Sequence, residues 1–168
     1  MHIETPDVIE FGSRFNKPQG WENPAQKHIA GLEAAGREQT ILVVDDSVAW
    51  LRFAEAILNA CGYQVQTCDD PRDALSLLKQ NPEQIDLVIT DLQMPCLDGL
   101  ELAAELRKIN AALPVVLTSA AMFQMPSEKL QRLGIRDFLI KPWDREQLFS
   151  TIRQALASKQ SRDEASKN

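Results

Sequence analysis

The sequence predicts an α/β fold: a doubly wound, five-stranded parallel sheet of strand order 2-1-3-4-5 with helices on both faces. Two observations carry this prediction. Five short segments rich in aliphatic and β-branched residues alternate with five segments of helical periodicity. Most of the strand segments are almost continuously apolar, which is typical of parallel strands buried on both faces. Right-handed crossovers leave few topologies for such an alternation, and the order 2-1-3-4-5 is a common one.

The predicted strands are short, and each of them ends at a polar residue or one residue before one. The second one alternates apolar and polar residues, which favours a place at the edge of the sheet. The strands are predicted at 41–44, 63–68, 85–91, 115–118 and 135–140.

The predicted helices carry recognisable start and stop signals. Ser47 and Asp144 occupy the N-cap positions of the first and last helices, and Gly62 closes the first. The fourth is the weakest, because Pro126 interrupts it and its apolar residues show little periodicity. The helices are predicted at 48–60, 71–80, 99–110, 122–133 and 145–157.

These elements place one domain at residues 39–157. Residues 1–38 form an N-terminal extension rich in Pro, Gly, Asn and Gln, in which Asn23-Pro24 and Gly36 mark the ends of a short amphipathic helix at about 24–35. Residues 158–168 are predicted to be a polar tail with nothing to bury.

Charge and hydropathy exclude several classes of function. The net charge is −6 and no Lys/Arg cluster is present, which argues against direct nucleic-acid binding. No apolar run has the length of a membrane span, and the N-terminus lacks the pattern of a signal peptide. We therefore expect a cytoplasmic protein without membrane contact.

The cysteines and histidines do not form a metal-binding pattern. Cys61, Cys68 and Cys96 include no C-x-x-C pair, and both histidines lie far away in the sequence, so a zinc site is not expected. His28 lies on the predicted N-terminal helix and is followed by Ile29 instead of an acid that would orient its ring. We interpret it as a surface histidine, not a phosphoryl acceptor.

Carboxylates follow the first and third strands, which are neighbours at the switch point of this topology. Asp45, Asp46 and Asp91 are therefore expected to meet at the carboxyl edge of the sheet. At about 4 Å and an effective dielectric of about 20, each pair would repel by about 4 kcal/mol. A divalent cation resolves this repulsion, and oxygen ligands without sulfur or imidazole favour Mg²⁺.

The fourth and fifth strands end at groups that suit phosphoryl chemistry. Thr118 offers a hydroxyl, and Lys141 offers an ammonium just ahead of Pro142. A carboxylate, a metal, a hydroxyl and a lysine around one point can meet the charge on a transferred phosphoryl group from several directions. Asp91 is central among the acids, so we predict that it is the nucleophile.

This combination of motifs resembles the receiver domain of two-component response regulators. The resemblance covers residues 39–157 and implies a flavodoxin-like (βα)5 receiver fold. It depends on five motifs that occur in order at strand ends: Asp45-Asp46, Thr90-Asp91-Leu92-Gln93-Met94-Pro95, Asp98-Gly99, Thr118-Ser119-Ala120 and Lys141-Pro142.

The resemblance implies a phosphorylation switch. Asp91 would accept a phosphoryl group from a phosphohistidine on a sensor histidine kinase or a histidine phosphotransfer protein. Mg²⁺ would be held by Asp46, Asp91 and the backbone carbonyl of Gln93, with Asp45 reaching it through water. The chain would catalyse only its own aspartyl phosphorylation and dephosphorylation, so it is not expected to be an enzyme.

The remaining roles follow from the same resemblance. Lys141 would pair with the phosphoryl oxygens, Thr118 would move to hydrogen-bond them, and Phe138 would rotate inward behind it. The positions that tune the hydrolysis rate hold Gln93, Ser119 and Ala120. The chain would act on a downstream protein through helix 4, strand 5 and helix 5, as a stand-alone regulator or as part of a hybrid kinase. A homodimer through that face or through the extension is an open alternative.

Two other functions are compatible with parts of the pattern. A metal-dependent phosphohydrolase with an aspartate nucleophile commonly has a second acid two residues further on, where this chain has Gln93. A scaffold that binds partners without phosphorylation would be indicated by loss of Asp91, Asp46 or Lys141, and all three are present. The sequence departs from the family at Trp143, where Phe is usual, and at Cys96, where Gly is frequent.

Overall fold

A computed structural model describes residues 39–121 and 127–165 as a five-stranded, all-parallel sheet of order β2-β1-β3-β4-β5. The predicted fold class and strand order are confirmed. Strands and helices alternate along the chain in this sequence: β1 (Thr40–Val44), α1 (Val48–Asn59), β2 (Gln64–Cys68), α2 (Pro71–Gln80), β3 (Leu87–Asp91), α3 (Gly99–Ile109), β4 (Val115–Ser119), α4 (Ser127–Arg132), β5 (Ile135–Ile140) and α5 (Arg145–Ala165).

The sheet separates two apolar cores. Alternate residues of β3 point to opposite faces, so Ile89 packs with the residues of α1 and α5 whereas Val88 packs with those of α2 and α3. Every residue of β1, β3 and β4 is buried. The two buried faces explain why these strands read as continuous apolar runs.

The predicted helix starts are also found. The Ser47 hydroxyl accepts a hydrogen bond from the Trp50 backbone N–H at the start of α1. The Asp144 carboxylate accepts one from the Gln147 backbone N–H at the start of α5. These bonds satisfy N–H groups that lack a partner within the helix and so fix where each helix begins.

The predicted edge position of the second strand is confirmed. β2 pairs only with β1 in this sheet, at its margin, and its side chains are exposed or half-buried. Tyr63, which precedes β2, is buried at 3% exposure in the core beneath α1 and α5. The alternation of apolar and polar residues at 63–68 therefore reflects a strand with one face packed on the core and the other exposed to solvent.

The predicted end of the last helix at residue 157 was wrong, because α5 continues to Ala165. Lys159, assigned to a polar tail, is buried, and its ammonium lies 3.1 Å from Asp86 Oδ1 and 3.2 Å from the backbone oxygen of Ile85. A paired lysine can be buried along its aliphatic stem, which composition alone does not reveal.

Three further predictions concern segment ends. The third strand begins at Leu87, two residues later than expected. Residues 122–126, including Pro126 and the start of the predicted fourth helix, lie outside the described residues, as do the extension 1–38 and its predicted helix at 24–35. Within the described ranges, no helix is both long enough and apolar enough to cross a membrane.

Candidate functional site

The sheet brings the predicted site residues to one edge. Asp91 is the last residue of β3, and its Cα is paired in register with that of Thr118 on β4. Val44 at the end of β1 pairs with Thr90, so Asp45 follows directly beside Asp91. Parallel strands that end together thus place a hydroxyl and the carboxylates side by side, as the sequence predicted.

Three carboxylates form an acidic cluster here. One oxygen each of Asp45, Asp46 and Asp91 lie within 4.8 Å of one another. Asp45 and Asp91 are buried, whereas Asp46 is exposed. The backbone N–H of Ser47 donates to Asp45 Oδ1 at 2.9 Å and orients that carboxylate. Hard oxygen donors at this spacing, with one side open to solvent, fit a divalent cation that keeps several waters, such as Mg²⁺.

Lys141 joins two of these acids. Its Nζ lies 2.5 Å from Asp45 Oδ2 and 3.0 Å from Asp91 Oδ1, and 15% of its side chain is exposed. The peptide bond from Lys141 to Pro142 is cis. One ammonium between two buried carboxylates offsets part of their mutual repulsion, and it stands next to the atom predicted to react.

The surroundings of Asp91 shift the pKa of its carboxyl in opposing directions. Burial raises the pKa of the Asp91 carboxyl above its ordinary value, and hydrogen bonds from Lys141 and the Gln93 backbone oppose that rise. A divalent cation in the acidic cluster would favour the ionised form in the same way as Lys141. The cations beside Asp91 therefore favour the ionised form of its carboxyl, which burial disfavours.

Thr118 is buried, and its hydroxyl oxygen accepts a hydrogen bond from Trp143 Nε1 at 2.9 Å. Its backbone oxygen accepts another from the Leu92 N–H at 2.7 Å. The sequence showed Trp143 only as a departure from the family. Its bond to Thr118 was missed, because nothing in residue type or spacing shows which way an indole N–H points.

Trp50 is a second neighbour that the sequence did not assign to the site. Its ring packs edge-on against Trp143 at 5.1 Å between centroids, and the Lys141 ammonium lies 5.1 Å from its ring centroid. An ammonium over an indole face at this distance is attracted by the ring. The available signal was its position in the first turn of α1, four residues after Asp46.

The remaining predicted residues lie around this centre. Ser119 is buried directly after Thr118, and Gln93 and Ala120 are exposed at the rim. Phe138 is half-buried against the core beneath α2 and α3, whereas its neighbour Leu139 packs in the other core and pairs with Thr118. Phe138 thus lies on the opposite face of the sheet from Trp143.

Comparison with known proteins agrees with this geometry. A family model described as the response regulator receiver domain matches residues 41–153. The transcriptional regulatory protein ZraR of Escherichia coli (strain K12) is 33% identical over 123 residues, which are 73% of this chain and 27% of that protein. The two-component response regulator ARR11 of Arabidopsis thaliana is 37% identical over 102 residues, 61% of this chain and 19% of that protein.

Among solved structures, the response regulator receiver domain protein from Clostridium thermocellum superposes with a TM-score of 0.67 at 28% identity, over 73% of this chain and 97% of that one. The chain spans about a quarter or less of the length of the two curated relatives, so the match concerns one domain of each. A match to the family model over most of the described sheet and its helices shows that the chain belongs to the response regulator receiver domain family.

Proposed function

We propose that this receiver domain is a phosphorylation switch in which Asp91 takes a phosphoryl group from a phosphohistidine. Receiver domains of this family are signalling domains and not enzymes in the usual sense. The observation that carries the proposal is the placing of Lys141 Nζ between Asp45 and Asp91, with the Asp46 carboxylate beside them. This arrangement surrounds one carboxylate with the charges that phosphoryl transfer requires.

The transfer balances without a further reactant. A carboxylate oxygen of Asp91 attacks phosphorus, the P–N bond to the donor imidazole breaks, and the imidazole nitrogen keeps the electron pair. The Lys141 ammonium stabilises the negative charge on the phosphoryl oxygens, and the Thr118 hydroxyl donates a hydrogen bond to one of them. Hydrolysis by water later breaks the P–O bond and returns the Asp91 carboxylate.

The acidic cluster would hold one Mg²⁺ through Asp46, Asp91 and the backbone carbonyl of Gln93, with Asp45 bound through water. When bound, the ion would neutralise charge on the phosphoryl oxygens. The Asp45 carboxylate has a second task in this proposal: it keeps the Lys141 ammonium at the site through their ion pair.

The partners we propose are a sensor histidine kinase or a histidine phosphotransfer protein as donor, and a downstream protein as target. The output surface is assigned to α4, β5 and α5. In support, β5 is an edge strand, and Ile140, next to Lys141, is 38% exposed.

Phe138 on the same strand would change its packing as Thr118 moves. Gln93, Ser119 and Ala120 would set the rate of hydrolysis.

The test is the intact mass of the full chain after incubation with Mg²⁺ and acetyl phosphate. We expect the gain of one phosphoryl group, which is lost in Asp91→Asn and in the presence of a chelator. Asp73→Asn is the matched control, because the same chemical change is made at an exposed position in the first turn of α2. It is expected to gain the phosphoryl group as the unchanged chain does.

Two results would contradict the proposal. One is no mass gain in a folded chain with Mg²⁺ present, which would favour a scaffold that binds partners without phosphorylation. The other is an equal gain in Asp91→Asn, which would move the phosphorylation to a different residue.

A further inference from the structure

Two tryptophans lie side by side beneath the site but differ in their polar atoms. Trp143 Nε1 donates to Thr118 Oγ1 at 2.9 Å. Trp50 Nε1 is buried and has no hydrogen-bond partner among residues 39–121 and 127–165. The rings are in edge-on contact. Trp143 therefore combines packing with a polar contact to Thr118, whereas Trp50 packs without such a contact.

The bond to Thr118 restricts what that hydroxyl can do. A threonine hydroxyl has one hydrogen to donate and two lone pairs to accept with. Because Trp143 supplies a donor, the oxygen of Thr118 is held as its acceptor, and the hydroxyl hydrogen is left to be donated in another direction. Thr118 is 1% exposed and Trp143 is 7% exposed, so water competes little for this bond.

We infer that Trp143 is a positioning residue for the phosphoryl group and acts through Thr118. Its indole N–H orients the Thr118 hydroxyl as a donor toward Asp91, whose Cα is paired in register with that of Thr118. This inference rests on the proposed phosphorylation of Asp91. It assigns to Trp143 a contact that a phenylalanine at the same position cannot make, because a phenyl ring has no N–H.

The test is a double-mutant cycle on the rate of phosphorylation of the full chain by acetyl phosphate with Mg²⁺. Trp143→Phe removes the N–H and keeps an aromatic ring. Loss of one orienting hydrogen bond is expected to lower the rate about threefold to tenfold. In Thr118→Val, which has no hydroxyl, the same Trp143→Phe change is expected to alter the rate by less than about twofold. In Thr118→Ser, which keeps the hydroxyl, the larger effect is expected to return.

Trp50→Phe is the matched control for packing. It makes the same chemical change in the neighbouring ring, and any effect on the rate is expected to be equal with Thr118 and with Thr118→Val. A merely structural role of Trp143 would likewise lower the rate by the same factor in both backgrounds, and that result would overturn the inference.

A second measurement keeps Trp143 in place. Hydrogen exchange of the Trp143 indole N–H, followed by NMR, is expected to be faster in Thr118→Val than in the unchanged chain. Equal exchange would overturn the inference even if Trp143→Phe failed to fold. A wild-type chain that takes no phosphoryl group would overturn the proposed function and the inference together, whereas phosphorylation without coupling would overturn the inference alone.

Discussion

Gly99 lies directly against the backbone carbonyl of Asp91. A Cβ at Gly99 would overlap the Asp91 backbone oxygen and would approach Leu117 Cδ2 to 3.1 Å. The first residue of α3 is thus packed against the last residue of β3, which carries the predicted nucleophile. The close approach explains a glycine at this point of the Asp98-Gly99 motif.

Gly99→Ala is therefore expected to destabilise the chain, although the same change elsewhere in a helix usually stabilises it. The overlap with main chain is expected to lower the free energy of unfolding by about 2 kcal/mol and to displace Asp91. Chemical unfolding and the rate of phosphorylation by acetyl phosphate are the two measurements. Stability equal to that of the unchanged chain would show that the packing of α3 on β3 is looser than described.

Cys96→Gly is expected to stabilise the chain. Cys96 is exposed and has a φ of 69°, in the left-handed region that costs energy for a residue with a Cβ. After allowing for the greater freedom of glycine in the unfolded chain, we expect a gain of about 0.5–1 kcal/mol. Thermal unfolding measures it. Cys96→Ala, which keeps the Cβ, is the control and should give no such gain.

Tyr63 is expected to make the fold sensitive to alkali. Burial raises the pKa of its phenol from 10.0 to about 12. The folded chain therefore holds this proton at pH values where the unfolded chain has released it, so stability falls as the pH rises from about 10 to about 12, by up to about 1.4 kcal/mol per pH unit.

Ultraviolet absorbance of tyrosinate reports this titration without ambiguity, because Tyr63 is the single tyrosine of the sequence. In Tyr63→Phe, the part of the fall in unfolding free energy between about pH 10 and about pH 12 that comes from this phenol should be absent. A midpoint near 10 in the folded chain would contradict the prediction.

The ion pair between Lys159 and Asp86 is expected to contribute to stability as a pair. Lys159→Met removes the ammonium from the buried Asp86 carboxylate, which also accepts a hydrogen bond from the Thr40 backbone N–H at 3.0 Å, and should cost about 3 kcal/mol in urea unfolding. Adding Asp86→Asn, which removes the negative charge that Lys159 faced, should restore part of this loss. As a control for the substitution, Lys108→Met in an exposed pair with Glu105 should change stability by less than about 0.5 kcal/mol.

The sheet and the acidic cluster followed from the sequence because both depend on strand periodicity and on which residues end each strand. Asp45, Asp91 and Thr118 each lie within one residue of a strand end, and topology alone then brings them together. The contact of Trp143 with Thr118 and the burial of Lys159 did not follow, since they depend on side-chain direction and on a helix that continues past its apolar stripe. The roles of Mg²⁺ and of the output surface stay predictions.

The ion pair of Lys159 also limits how α5 can move. Asp86 directly precedes β3 and Asp91 is its last residue, so the two lie about 17 Å apart in extended chain. α5 starts at Arg145, four residues after Lys141, and its Lys159 is paired with Asp86 at the opposite end of β3. Sliding of this helix along the sheet would break a buried ion pair, whereas a swing about the anchored end would not. We therefore expect that the proposed phosphorylation of Asp91, where it moves α5, turns this helix about Lys159 and does not slide it along the sheet.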